Sequence, residues 1–330
     1  MPGVGVGAGA PAPAGRVVIA GASGFIGARL TAAYRERGWQ VDRIGRHDTV
    51  RWGDTEAITG LVDGADLLIN LAGKSVNCRY TTVNRIEILR SRVETTAELA
   101  RAMGRASTPP PLWVNASTAT IYRHAMDRAQ TEESGEIGRG FSVLVAVAWE
   151  EAFFTAVLPA TRRVALRMPI VLGDGSALEP LAALTRLGIG GAQSDGRWFR
   201  SARRRAAGIE SPQRSRRGQQ RFSWVHLDDV VRVIEWLETQ PSIEGPLNAA
   251  APHPEDNARL MAHLRGILRR PIGLPMQRWM LELGSMAIRT ESELVLKSRW
   301  VVPARLEAAG FRFEHPHLDE ALRSILAPSH

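Results

Sequence analysis

Cysteine occurs once in the 330 residues, at Cys78, and lysine only twice, at Lys74 and Lys297. A single cysteine excludes an intrachain disulfide and any structural zinc site built from several thiolates. It fits a reducing compartment, and the cytoplasm is the expected location. With two lysines among 42 basic residues, almost every cation is an arginine. Long apolar runs are missing too. The stretch Phe141 to Trp149 spans nine residues, less than half of the ~20 a membrane-crossing helix needs, so no membrane association is expected. The first 15 residues hold only Gly, Ala, Pro, Val and Met, without a basic segment or a Leu-rich core. They read as a flexible tail and not as a secretion signal.

What is present is ordinary in bulk. Hydrophobic residues are 44% and charged residues 23%, which excludes disorder throughout. The formal charge is +8, a value that raises nucleic acid, acidic surfaces and anionic ligands as partners. The excess is local. Residues 197–221 carry nine Arg and one Glu, a surplus equal to the charge of the whole chain.

Apolar periodicity organises the rest. Arg16 to Ala20 is a mostly β-branched run suited to a strand buried on both faces. A helix pattern with Ile26, Leu30, Ala33 and Tyr34 on one face follows and stops at Gly38. Further strands are predicted at 41–44, near 50–52, at 66–71, 112–116 and 163–172, with helices at 55–62, 83–103 and 141–154. After Gly173 the alternation loosens, and 222–237 and 246–250 then read as a last helix and strand. The fold class is α/β: a Rossmann-type doubly wound parallel sheet with a smaller C-terminal α+β substrate domain. The predicted boundaries are a tail at 1–15, a cofactor domain at 16–172 completed by about 222–250, and a substrate side at 173–221 and 251–330.

Between the first strand and first helix stands a GxxGxxG turn. Gly21 suits the tight turn, Gly24 lets backbone approach a pyrophosphate at the helix N-terminus, and Gly27 lets helix and strand pack closely. With Ser23, Phe25 and Ile26, these residues are the expected nucleotide-binding loop. About 20 residues on, NAD enzymes place an acid on the ribose 2′-hydroxyl. Here the sequence is Arg43-Ile-Gly45-Arg46. Gly45 leaves room and Arg46 can clamp a 2′-phosphate, so NADP is favoured over NAD. Asp48 is the residue that argues the other way.

With these residues go Asn70, Leu71, Ala72 and Gly73, Ser91-Arg-Val93 with Thr96, Trp149-Glu150, the Phe222 to Asp229 segment, Leu247 to Pro252 and Ser298 to Phe311. On them the chain resembles the atypical extended short-chain dehydrogenase/reductases, epimerase-family proteins with a characteristic C-terminal domain of unknown function. The resemblance covers about residues 16 to 328. It implies an NAD(P)-binding oxidoreductase or epimerase acting on a small molecule, with Asn70 to Gly73 near the cofactor ribose and Ser117 beside the reaction centre. Conventional members add a Tyr-x-x-x-Lys pair, in which Lys lowers the Tyr pKa and Tyr passes the proton accompanying hydride transfer.

That pair is absent. Phe141 stands at the Tyr position and Val145 at the Lys position, and Pro169 replaces a common Gly. A displaced acid would be Tyr122 or Tyr80, with Lys74 lowering a nearby Tyr pKa and Ser117 polarising a carbonyl. The plainer readings are a Tyr122 ring packed beneath the cofactor and a Lys74 charge in solvent or on the ribose. The alternative function is a cofactor-binding sensor or scaffold without turnover. No metal is assigned: His226 with Asp228 and Asp229 reads as a loop histidine before an Asp-capped helix. His253, His315 and His317 lack ligand spacing. Trp198, Phe199, Trp279 and Trp300 suit a pocket or the core equally.

Measured against the family, residues 197–221 include an insertion of roughly 20 residues, long for a connection inside a compact domain. It reads as a solvated mobile loop, as a lid clamping an anionic substrate, or as a docking surface for an acidic partner. No nucleic-acid motif surrounds it, which argues against nucleic acid. No motif specifies an oligomeric state.

Overall fold

The computed structural model describes residues 13–176, 178–195, 201–206, 208, 215, 217–287 and 296–326. Among these the strands are β1 (Arg16–Ala20), β2 (Gln40–Ile44), β3 (Leu67–Asn70), β4 (Leu112–Thr118), β5 (Arg162–Met168), β6 (Ile170–Leu172), β7 (Gln193–Ser194), β8 (Arg221–Phe222), β9 (Trp224–His226), β10 (Gly245–Asn248), β11 (Glu255–Asp256) and β12 (Met276–Gln277). The helices are α1 (Phe25–Glu36), α2 (Thr55–Val62), α3 (Thr82–Arg105), α4 (Phe141–Phe154), α5 (Leu178–Arg186), α6 (Ala202–Ala206), α7 (Leu227–Glu238), α8 (Asn257–Ile267), α9 (Arg278–Ala287), α10 (Ala304–Ala308) and α11 (Leu318–Leu326).

Six strands form one parallel sheet in the order β2-β1-β3-β4-β5-β10. Its direction of growth reverses between β1 and β3, the switch point where open α/β sheets bind ligands. The apolar run of β1 is explained by its two faces. Val17 and Ile19 enter one core cluster with α1, α7 and Trp149, and Val18 and Ala20 enter the other with α2, the later turns of α3 and Phe153. A third cluster, outside the sheet, joins Leu172, Trp224, α8 and α11 as the smaller C-terminal part.

Three expectations change. The strand near 50–52 is reduced to one bridge between Ile44 and Val50, because the chain there turns through the Gly45 to Asp48 bend. The strand expected at 163–172 is two strands split by Pro169, which has no N–H for a ladder. β5 stays in the main sheet between β4 and β10, and β6 leaves it to pair with β9. Residues 1–12 of the expected tail lie outside the described residues, but Ala14 donates to the Gly38 carbonyl and Gly15 accepts from Gln40, so these two tail residues are tied to the fold ahead of β1. Trp198 and Phe199 also lie outside the described residues. Among the described residues no helix is long and apolar enough to cross a membrane.

Candidate cofactor and active site

The glycine turn sits at the switch point, each glycine for a different reason. Gly21 has φ +82°, and a Cβ there would lie 2.9 Å from the Leu71 carbonyl carbon. A Cβ on Gly27 would run into the Gly21 carbonyl oxygen and the Ala22 backbone. Gly24 is different. A Cβ there would meet only the Gly21 oxygen, at 3.4 Å, so the protein itself leaves that side open. Gly24 is also the N-cap of α1 and supplies no side-chain cap, which leaves the N–H groups at Phe25 and beyond for an anion. Phe25 leans on Gly173, whose own Cβ would come 2.9 Å from the ring. Ser23 is exposed and Ile26 half-buried on the same turn.

At the end of β2, Arg46 is exposed. Asp48, the residue that argued for NAD, is mostly buried, lies against Gly45 and pairs with Arg43 at 3.3 Å.

The loop after β3 is held from below. Buried Asn70 donates through Nδ2 to Thr96 Oγ1 (3.1 Å) and Asn115 Oδ1 (2.7 Å), and its Oδ1 accepts from the Ala72 N–H. Trp149 Nε1 donates to the same Thr96 hydroxyl. Ser91 Oγ accepts from the Lys74 N–H, and Arg92 donates to the Lys74 carbonyl. A Cβ on Gly73 would sit 3.1 Å from the Arg92 guanidinium carbon. Ser91, Arg92 and Thr96 are therefore the clamp on the Asn70 to Lys74 segment.

The expected acid pairings are corrected by the geometry. Lys74 Nζ pairs with Glu87 on α3. Tyr80 acts on the cation Arg92, whose pKa burial lowers to about 10, with Tyr80 and Cys78 opposing. Tyr80 is buried and packs edge-on against Phe141 at 5.0 Å between ring centroids. Phe141 and Val145, at the missing Tyr and Lys positions, are buried in one apolar cluster with Tyr80 and Ile88.

Ser117 and Tyr122 belong to a buried network that sequence reasoning missed. Parallel register puts Ser117 beside Arg167 and Arg167 beside Asn248, one rung across β4, β5 and β10. Ser117 Oγ donates to Glu150 Oε1 at 2.5 Å. Arg167 grips both Glu150 oxygens, at 2.8 and 2.6 Å, and donates to the Tyr122 hydroxyl at 2.9 Å. Tyr122 in turn donates to Asn248 Oδ1 at 2.9 Å. Burial raises the Tyr122 pKa, with Arg167 opposing. The only proton of each hydroxyl is committed, so Ser117 offers lone pairs and not the carbonyl-polarising proton expected of it. The signal for this network was a charge in apolar surroundings: Glu150 ending Phe141 to Trp149, and Arg167 within the apolar strand from Val164 to Met168.

His226 also differs from expectation. It is itself the N-cap of α7, its Nδ1 accepting from the Asp228 N–H at 3.2 Å. Asp228 pairs with Arg29, and buried Asp229 accepts from the N–H groups of Glu314 and His315. His226, Asp228 and His315 present ligand atoms within 4.8 Å of one another. Their groups are engaged in capping, ion pairing and ring contact, the two imidazoles lying 3.8 Å apart. Trp279 is half exposed, and Trp300 lies under the Arg221 guanidinium at 4.5 Å.

Residues 17–140 match the NAD dependent epimerase/dehydratase family, and residues 278–325 match a domain of unknown function, DUF1731. The epimerase family protein SDR39U1 of Bos taurus is 30% identical over 322 residues, covering 94% of this chain and all of that protein. This chain belongs to the epimerase family. The YfhF member from Bacillus subtilis (strain 168) is 27% identical over 94% of the chain. Human SDR39U1 isoform 2, crystallised with NADPH, superposes with a TM-score of 0.78 at 27% identity, over 94% of this chain and 98% of that one. A nucleoside-diphosphate sugar epimerase from Corynebacterium glutamicum gives 0.69 at 26% identity over 95% of this chain, which spans 58% of that protein.

Proposed function

We propose that this family member binds NADP(H) and acts on a small molecule as an oxidoreductase or epimerase. The observation that carries the reading is the cradle at the switch point, closed by protein contacts at Gly21 and Gly27 and open at Gly24. When bound, the nicotinamide supplies or accepts a hydride. Gly24 and the start of α1 would hold the pyrophosphate, Arg46 the 2′-phosphate, and the Asn70 to Gly73 segment the ribose side. Human SDR39U1, with NADPH in its crystal structure, supports the choice of NADP. The exposed Arg46 and withdrawn Asp48 support it from this chain's own residues. The substrate side would be formed by residues 173–221 and 251–330, and the lone cysteine favours the cytoplasm.

The test is calorimetric titration with NADPH and NADH. Arg46→Ala should weaken NADPH by about 1.5–3 kcal/mol, the scale of hydrogen bonds to a charged group, and leave NADH nearly unchanged. Equal losses for both would defeat the assignment. A second reading, a cofactor-binding sensor without turnover, is favoured by the buried Phe141 and Val145 and by the committed protons of Ser117 and Tyr122. NADPH binding with no oxidation across aldehydes, ketones and sugar nucleotides would select it.

A further inference from the structure

We propose that the groove between α3, the start of α4 and the arginine-rich insertion is a binding site for a small organic anion, a phosphate or carboxylate carrying an apolar group. The groove has a volume of about 390 Å³, within the size range of small-molecule sites. Arg85 and Arg139 supply its charge, and Val143 and Leu144 supply its apolar wall. Among the described residues no acidic side chain lines it. Arg139 is exposed and has no ion-pair partner among the described residues.

Two described residues of the insertion border this groove. Gly208 accepts a hydrogen bond from the Phe141 N–H at 2.8 Å, so the inserted segment caps the first residue of α4. Backbone meets backbone there: Gly140 has φ +109°, and a Cβ on it would come 2.9 Å from the Gly208 oxygen. The contact therefore requires glycine on the body of the protein at Gly140. Ser215 and Gly218 tie the same segment down elsewhere, their carbonyls accepting from the N–H groups of Asp195 and Ala258. These described residues of the insertion are held against the body of the protein by backbone hydrogen bonds. Ala206 and Gly208 line the groove, and the helix that ends at Ala206 carries Arg203, Arg204 and Arg205. Three arginines of the charge surplus thus sit on the helix whose last residue lines the groove. That groove adjoins Phe141, where conventional relatives place their proton-transferring Tyr. Its ligand is the anionic end of the substrate if the proposed hydride chemistry holds; the binding itself does not depend on that reading.

The experiment titrates phenyl phosphate, and phenol as its neutral counterpart, into the full chain by calorimetry, with and without saturating NADPH. Saturable binding of phenyl phosphate but not of phenol, undisturbed by NADPH, is expected. Arg139→Gln should weaken it about fivefold or more at low salt, and Arg139→Lys by less, because a bidentate fork is lost but the charge stays. The double change Arg203→Gln with Arg205→Gln should weaken it about twofold and flatten its salt dependence. Unaltered melting temperatures identify these as binding effects. Equal affinity in Arg139→Gln, equal binding of phenol, displacement by NADPH, or no saturable binding at millimolar concentration would each overturn the proposal. NADPH titrated alone in the same samples reports the cofactor reading separately.

Discussion

Replacing Glu150 by Gln tests the buried network at its centre. Glu150 and Arg167 have side-chain exposures of only 10% and 8%, so solvent screens their pairing little. The wild-type carboxylate receives two bonds from Arg167 and one from Ser117. Removing one partner of a buried pair costs about 3–5 kcal/mol, because the other charge is stranded. Gln keeps the shape and an acceptor for Ser117 but turns an amide donor toward the guanidinium, so the expected loss is about 3 kcal/mol. Urea unfolding followed by far-UV and near-UV dichroism together reads this as a lower midpoint with an unchanged slope. Adding Arg167→Met removes the stranded cation and should recover roughly half of the loss or more. A single variant within about 1 kcal/mol of wild type, or a double variant no more stable than the single, would refute the assignment of the network as a coupled unit.

Three other outcomes follow from the geometry. Gly27→Ala should destabilise by about 1–3 kcal/mol through overpacking against Gly21, whereas Gly24→Ala should cost less than about 1 kcal/mol and still weaken NADPH at least tenfold; paired melting and titration experiments separate the two. Burial and the adjacent His315 hold the His226 pKa below its usual 6.5, against the opposing pull of Asp228, Asp229 and Glu314. The unfolded chain then binds more protons in that window, so His226's contribution is full above about pH 6.5 and falls as the pH drops through it toward the lower folded value; His226→Asn, which keeps a cap, should flatten that part of a urea-midpoint-versus-pH curve. Tyr122→Phe should cost about 1–3 kcal/mol in urea unfolding, because Arg167 and Asn248 lose a shared buried partner.

Much of the framework was readable because it rests on local rules. A β-branched run flanked by a glycine turn marks a doubly buried strand, and β1 is covered on both faces. The span of α4 was legible to the residue because its apolar run begins after Gly140 and meets no breaker before Thr155. The strand near 50–52 and the unbroken strand at 163–172 were misread for a common reason: whether a segment pairs depends on which neighbour offers an edge. Pro169 carried a local warning of the split.

The sequence by itself determined the alternation of strands and helices, the cofactor-type turn, the missing Tyr and Lys, and the confinement of the charge surplus to residues 197–221. Each of these follows from residue identity, spacing or backbone freedom within one stretch of chain. Only the tertiary structure decided who meets whom. Parallel register brings Ser117, Arg167 and Asn248 onto one rung, and α4 lowers Glu150 onto it, which spends the protons that sequence logic had reserved for chemistry. Folding likewise sets Lys74 against Glu87, leaves Arg92 beside Tyr80, and lays the inserted Gly208 on the N-terminus of α4. Such partnerships join residues far apart in the chain, and they are selected by packing and by the need of buried polar groups for partners, which no local pattern encodes.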